Sequence, residues 1–182
     1  SLENSVSSPI DRSPPMEVTS TGLTLPVWVA AAARAALQAL LGHPFEPEQH
    51  LPQPDGGEPL LVPVQSAARL SGEQAMAISR CDPGPGLDLT RDLEIWVRVA
   101  WSASADPALQ VRAGDGVGTL GAGGDPCVSA YAHALMESSL LPLLPHGRGL
   151  VVEPVLPQGR TLAARTSNAA FGVVDGLALI GT

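Results

Sequence analysis

The stretch 24–42, TLPVWVAAAARAALQALLG, constrains the possible folds more than any other part of the chain. It predicts one helix. Thr24 suits the N-cap, Pro26 suits the first turn because its missing donor would be unpaired there anyway, and Gly42 can close the C-terminus in a left-handed conformation. Seven residues of the stretch are alanine and, after Thr24, only Arg34 and Gln38 are polar. These two are four apart and share a face, so the helix is apolar almost all round and must be packed on most sides. Small side chains let neighbouring backbone approach closely, which suits a helix lying flat on a sheet. Its N-terminus, with aligned N–H groups and a favourable dipole, is a candidate for holding an anionic group.

The rest of the chain must supply that packing. Its 182 residues suffice for one domain with its own core. Aromatic residues are only 3% of the chain against 45% hydrophobic overall, so the core is built from alanine, leucine and valine. All ten basic residues are arginine and the net charge is −8, which argues against non-specific nucleic-acid binding. Without a lysine there is no Walker loop. No basic segment followed by an apolar one marks a signal peptide, and Arg34 and Gln38 break the longest apolar run before the roughly 20 residues a membrane span needs. A cytoplasmic protein is expected. Cys81 and Cys127 have no metal-ligand or disulfide-framework spacing and are expected to be reduced; His43, His50, His133 and His146 show no ligand spacing either, so no metal site is expected.

Residues 1–20 are polar, carry Pro9, Pro14 and Pro15, and lack periodicity; they read as a disordered tail or an expression remnant, leaving 21–182 as the domain. The proline- and glycine-rich segment 43–58 reads as a loop. Strands are expected at 59–64, 74–79, 93–101, 149–155 and 172–180. The clearest is 93–101, where Leu93, Ile95, Val97, Val99 and Trp101 alternate with Glu94, Trp96 and Arg98. Turns are expected at 80–86 and 157–160. A glycine-rich stretch over 113–124 leads to Asp125 and Pro126, a cap and first-turn pair for a second helix over 127–141, with Val128, Tyr131, Leu135 and Met136 inward. The order of elements predicts an α+β fold: a mixed sheet of about six strands packed by two principal helices.

Three segments could carry chemistry. The glycines of 113–124 can turn backbone N–H groups toward a carboxylate or phosphate, although tight turns use glycine for geometry alone. Asp82 and Asp88 flank a Pro-Gly-Pro-Gly turn, where paired carboxylates could act as acid and base or simply cap the turn. Arg165, Thr166, Ser167 and Asn168 form a polar wedge between apolar segments, with Arg165 suited to clamping a carboxylate.

The terminal block 162–182, LAARTSNAAFGVVDGLALIGT, resembles the Ala-x-(Lys/Arg)-Thr-x-Asn-x-x-(Leu/Phe)-Gly-x-x-Gly-Gly pattern of the CbiD family. Three further blocks follow the family's order: the alanine-rich helix, the segment 80–90 where an acidic stretch is usual, and Gly114-Asp115-Gly116-Val117-Gly118, which is similar to Gly-(Asp/Glu)-Gly-Val-Gly. The resemblance runs from about residue 21 to the end. The chain departs from the family where Leu25-Pro26-Val27-Trp28 replaces a polar Thr-Gly-Thr-Cys, where 80–90 has prolines in place of carboxylates, and where 129–136 lacks an Asn-Pro-x-Pro pattern.

What the resemblance implies is cobalamin biosynthesis: methylation of C1 of cobalt-precorrin-5B to cobalt-precorrin-6A, with S-adenosylmethionine as methyl donor and no metal held by the protein. It further implies that a Rossmann-like second domain of the family is missing from this chain, or that a homodimer or a missing C-terminal domain completes the protein. The cobalt-corrinoid substrate carries several carboxylates. Its expected contacts are Arg80, Arg112 and Arg165, the backbone N–H groups of Gly114, Gly116 and Gly118, and, lining the site, Thr24, Asp115, Thr166 and Asn168. The alternative is a non-catalytic tetrapyrrole-binding or docking domain. An enzyme half should show an open cleft lined by Arg112, Arg165 and the glycine turn; a docking module should show a broad apolar patch near Ile180.

Overall fold

The computed structural model describes residues 23–82, 91–166 and 172–180. The alanine-rich stretch forms helix α1 (Leu25–Leu40), with Pro26 in its first turn. The C-terminus closes as expected: Gly42 has φ +80°, its N–H bonds Ala39 O at 3.0 Å, and the His43 N–H bonds Gln38 O at 2.9 Å, the paired bonds of a Schellman motif. The N-terminus differs from expectation. Thr24 occupies the N-cap, but its side chain caps nothing. Its main-chain carbonyl instead accepts from Val27 N at 3.0 Å and Trp28 N at 3.5 Å. With Pro26 lacking a donor and Val27 N turned to Thr24 O, this helix end has few N–H groups to offer the anion expected there.

Five strands make the central sheet: β3 (Ser66–Arg69), β4 (Gln74–Arg80), β5 (Glu94–Trp101), β9 (Leu150–Val155) and β6 (Leu109–Val111), in that spatial order. Only the β6–β9 pair is parallel, so the sheet is mixed. α1 lies against β3, β4 and β5 on one face of the sheet. Leu93, Ile95, Val97 and Val99 turn inward beneath it, fully buried, as the alternation in β5 requires. Met76, Ile78, Trp96 and Val151, on the opposite face, are half-buried.

The segment read as a loop contains strand β1 (Glu48–Leu51), paired antiparallel with β2 (Leu60–Pro63). Its inward residues are the fully buried Leu51 and Gln49, and Gln49 donates to Gln38 Oε1 (3.0 Å) and Glu46 O (2.8 Å) and accepts from Arg34 Nη1 (3.1 Å). Gln49 of β1 thus bonds both polar residues of α1; Gln38 Nε2 also donates to Glu46 Oε2 at 3.3 Å, while Arg34 Nε is buried without a partner among the described residues. Partial burial lowers the Arg34 pKa from its ordinary value, and nearby Glu46 offsets this in part.

The second principal helix, α2 (Ala130–Leu140), starts later than Asp125 and Pro126 suggest. Ser129 is its cap, its hydroxyl accepting from Ala132 N at 3.1 Å. Pro126 instead bridges Thr119, and Cys127 N bonds Gly118 O at 2.8 Å. Met136 and Leu135 are fully buried as expected, with Val128 and Tyr131 packed on the core. Cys81 is buried, Cys127 half-buried, and the two are not bonded to each other.

Candidate functional site

The expected turn at 157–160 runs into a third, short helix, α3 (Gly159–Ala163), and the expected strand at 172–180 is broken into β10 (Val173–Val174) and β11 (Gly176–Leu177). The break falls at Asp175, which has φ +67°, a left-handed backbone uncommon outside glycine. The glycine-rich stretch supplies their partners. β7 (Gly116–Val117) pairs parallel with β11, and β8 (Thr119–Leu120) pairs antiparallel with β10. Glycine here serves close packing rather than a flexible loop.

Gly116 is the crossing point. A Cβ there would overlap the Leu156 carbonyl, lying 2.8 Å from its carbon and 3.3 Å from Gly159 N. A Cβ on Gly159 would lie 2.8 Å from the Gly116 carbonyl carbon, and one on Gly176 would lie 2.8 Å from Val117 N. Three chain segments thus meet at Gly116, Gly159 and Gly176 at a separation that admits no side chain. Each glycine has a charged neighbour in sequence: Asp115, Arg160 and Asp175. All three neighbours line one surface hollow of about 330 Å³, together with Gly114, Gly116 and Thr119. Arg160 Nη2 and Asp115 Oδ1 are 3.2 Å apart, with both side chains about two-thirds exposed. A second hollow of about 370 Å³ adjoins the first and shares Arg160 and Asp175; the other described residues that line it include the apolar Ala163, Ala164, Val173 and Val174.

Of the expected site residues, Gly114, Asp115 and Gly116 line this groove. The amides of Gly114 and Gly118 are spent on Pro154 O (2.9 Å) and Leu177 O (2.7 Å), so they cannot receive a carboxylate in the expected way. Arg165 and Thr166 follow α3 rather than lying between strands; Arg165 N bonds Leu162 O (3.0 Å) and the Thr166 hydroxyl donates to Ala163 O (2.8 Å). Arg80 at the end of β4 and Arg112 just after β6 are exposed and line neither hollow. They nevertheless belong to the same end of the sheet, because Arg80 pairs with Glu94 at the start of β5, and Trp96 of β5 pairs with Val155 beside Gly114. Thr24 sits at the start of α1 and lines neither hollow. Asn168 and Asp88 lie outside the described residues, as do residues 1–20.

Among the described residues the cleft expected between Arg112, Arg165 and the glycine turn is not found; the glycine turn instead lines a hollow with Arg160. Sequence reasoning passed over Arg160 and Asp175; the available signal was that each adjoins a glycine between apolar segments. Among the described residues no group of three or more His, Cys, Asp or Glu side chains is placed to hold a metal ion, and no helix is long and apolar enough to cross a membrane. Leu120 and Ile180 are both more than half exposed.

These features define a class: an α+β domain whose mixed sheet is covered by an alanine-rich helix and whose glycine junction forms a charged groove. The chain belongs to the CbiD family, whose model matches residues 13–182. It is 77% identical over 158 residues to the cobalt-precorrin-5B C(1)-methyltransferase of Parasynechococcus marenigrum (strain WH8102), covering 87% of this chain and 44% of that protein. It is 44% identical over 165 residues to the protein of the same name from Gloeobacter violaceus, covering 91% of this chain and 45% of the relative. The chain thus spans a little under half the length of these curated relatives. The crystal structure of a cobalamin biosynthesis protein (cbiD) from Archaeoglobus fulgidus superposes with a TM-score of 0.65 at 22% identity, over 88% of this chain and 52% of that one. The shared fold is the CbiD fold.

Proposed function

We propose that the chain is part of a cobalt-precorrin-5B C1-methyltransferase of cobalamin biosynthesis, acting with S-adenosylmethionine to give cobalt-precorrin-6A, and that it contributes the substrate-holding side of the site. The observation that carries this reading is the 77% identity, over 87% of the chain, to a relative bearing that name. In such a transfer the ring carbon is the nucleophile and the sulfonium methyl the electrophile. A C–C bond forms as the S–C bond breaks, and S-adenosylhomocysteine leaves. The protein's task is alignment and exclusion of water.

The groove suits the substrate's two characters. Ala163, Ala164, Val173 and Val174 offer alkyl surface to a flat macrocycle, and Arg160 offers a guanidinium to a carboxylate at its rim. Arg80 and Arg112 add positive charge at the same end of the sheet, which a protein of net charge −8 needs locally to receive a polyanion. The methyl donor is met by the remainder of the protein or by a second copy, with Asp175 as this chain's contribution at the edge of the groove.

The test is incubation of the chain with cobalt-precorrin-5B and S-adenosylmethionine, alone and with the remaining portion of the Parasynechococcus relative supplied in trans, read by mass spectrometry. The expected result is corrinoid retained by the chain alone and one added methyl group when the second portion is present. Neither retention nor methylation in either mixture would overturn the reading.

A further inference from the structure

Among the described residues Arg160 is the only basic side chain lining either hollow, and it lines both. Its backbone is fixed: Gly159 packs against Gly116, and the Arg160 carbonyl accepts from Ala164 N at 3.2 Å. Its ion pair with Asp115 is exposed on both sides, so the pair contributes little and exchanges partners easily. The polar hollow also holds Asp175, so an anion entering there meets two carboxylates and one guanidinium. Only a pose that brings the anion onto Arg160 avoids net repulsion, which selects one orientation of a ligand with many carboxylates.

We infer that Arg160 anchors one peripheral carboxylate of the tetrapyrrole, that Asp115 holds the guanidinium in place in the free protein, and that the substrate carboxylate displaces Asp115 on binding. This rests on the corrinoid reading above and deepens it. The planar fork of arginine can take a carboxylate through two parallel hydrogen bonds, which a lysine cannot reproduce. The macrocycle then lies over the apolar hollow on the other side of Arg160.

The experiment is calorimetric titration of the chain with two cobalt corrins: cobyrinic acid, which carries free acetate and propionate groups, and cobinamide, in which these are amides. Arg160→Gln is expected to weaken cobyrinic acid binding about ten-fold and to leave cobinamide binding unchanged. Arg160→Lys should recover only part of the loss. Asp115→Asn removes the competing carboxylate and is expected to tighten cobyrinic acid binding roughly three-fold, a gain that misfolding cannot mimic. Arg69→Gln, on the distant edge strand β3, controls for net charge and should change neither affinity. If Arg160→Gln binds the acid as the unmodified chain does, or if Asp115→Asn weakens it, the anchor is refuted while the corrinoid reading stands. If the folded, unmodified chain binds neither corrin, the reading and the anchor both fall.

Discussion

The glycine junction makes a prediction that separates two physical effects. Gly121 has φ +83° and open space around the position of a Cβ, so Gly121→Ala adds only backbone strain. Gly159 lies outside the left-handed region, but a Cβ there would come within 2.8 Å of the Gly116 carbonyl carbon, so Gly159→Ala adds only overlap. Gly116 combines both, with φ +80° and an overlap with the Leu156 carbonyl. A left-handed alanine costs roughly 1–2 kcal/mol. Overpacking costs about 1–3 kcal/mol. The lower entropy of the unfolded chain returns about 0.4–1 kcal/mol in each variant. Gly121→Ala should therefore lose under about 1 kcal/mol and Gly159→Ala about 1–2. Gly116→Ala should lose about 3, a sizeable part of a domain's usual 5–15 kcal/mol. Urea unfolding followed by circular dichroism reads these values, and with an ordinary slope the midpoints of Gly116→Ala and Gly121→Ala should differ by about 1 M. Coincident midpoints for the two would refute the claim that three segments meet too closely for a side chain.

Other substitutions test the parts that support the junction. Gln49→Leu leaves Arg34 Nη1 and Gln38 Oε1 without their buried partner and should cost about 2 kcal/mol in denaturant midpoint analysis, although leucine is the more hydrophobic residue. Ala32→Leu, at a fully buried position of α1, should cost about 1–3 kcal/mol by overpacking a helix that is buried nearly all round; an unchanged melting temperature would show that α1 is not tightly seated. Ser129→Ala should cost about 1 kcal/mol, whereas Asp125→Ala should cost much less, because the cap of α2 is Ser129.

How much of this was legible in the sequence depended on the range of the interactions involved. Helix α1 and strand β5 are written in local terms, a run of good helix formers with end signals and a strict alternation, and both appear within two residues of expectation. Strand β1 was hidden because Gln49 shares its inward face with Leu51, and the burial of Gln49 is made possible by Arg34 and Gln38 of a different element. Asp125 and Pro126 carry a genuine helix-start signal, but the bridge of Pro126 to Thr119 and the long-range bridge of Val128 to Leu179 override it. The glycine-rich stretch was visible as important, while its purpose was not, since Leu156, Gly159 and Gly176 lie about 40 to 60 positions away in sequence and only the fold brings them to Gly116. Arg160 was overlooked for the same reason.

That displacement by one residue, from glycine to its neighbour, follows from backbone geometry. Gly116 (φ +80°) and Asp175 (φ +67°) are left-handed positions beside two-residue strands rather than extended backbone. The Cβ positions of Gly116 and Gly176 face the junction, and the neighbouring Asp115 and Asp175 line the groove at its surface. Arg160 is placed likewise at the start of α3, where Gly159 takes the crowded position and leaves the next residue at the surface. The glycines cannot themselves carry chemistry, but they fix where chemistry stands. A substitution at any of the three should therefore disturb the corrin binding proposed for this groove through the positions of Asp115, Arg160 and Asp175, even where the protein remains folded.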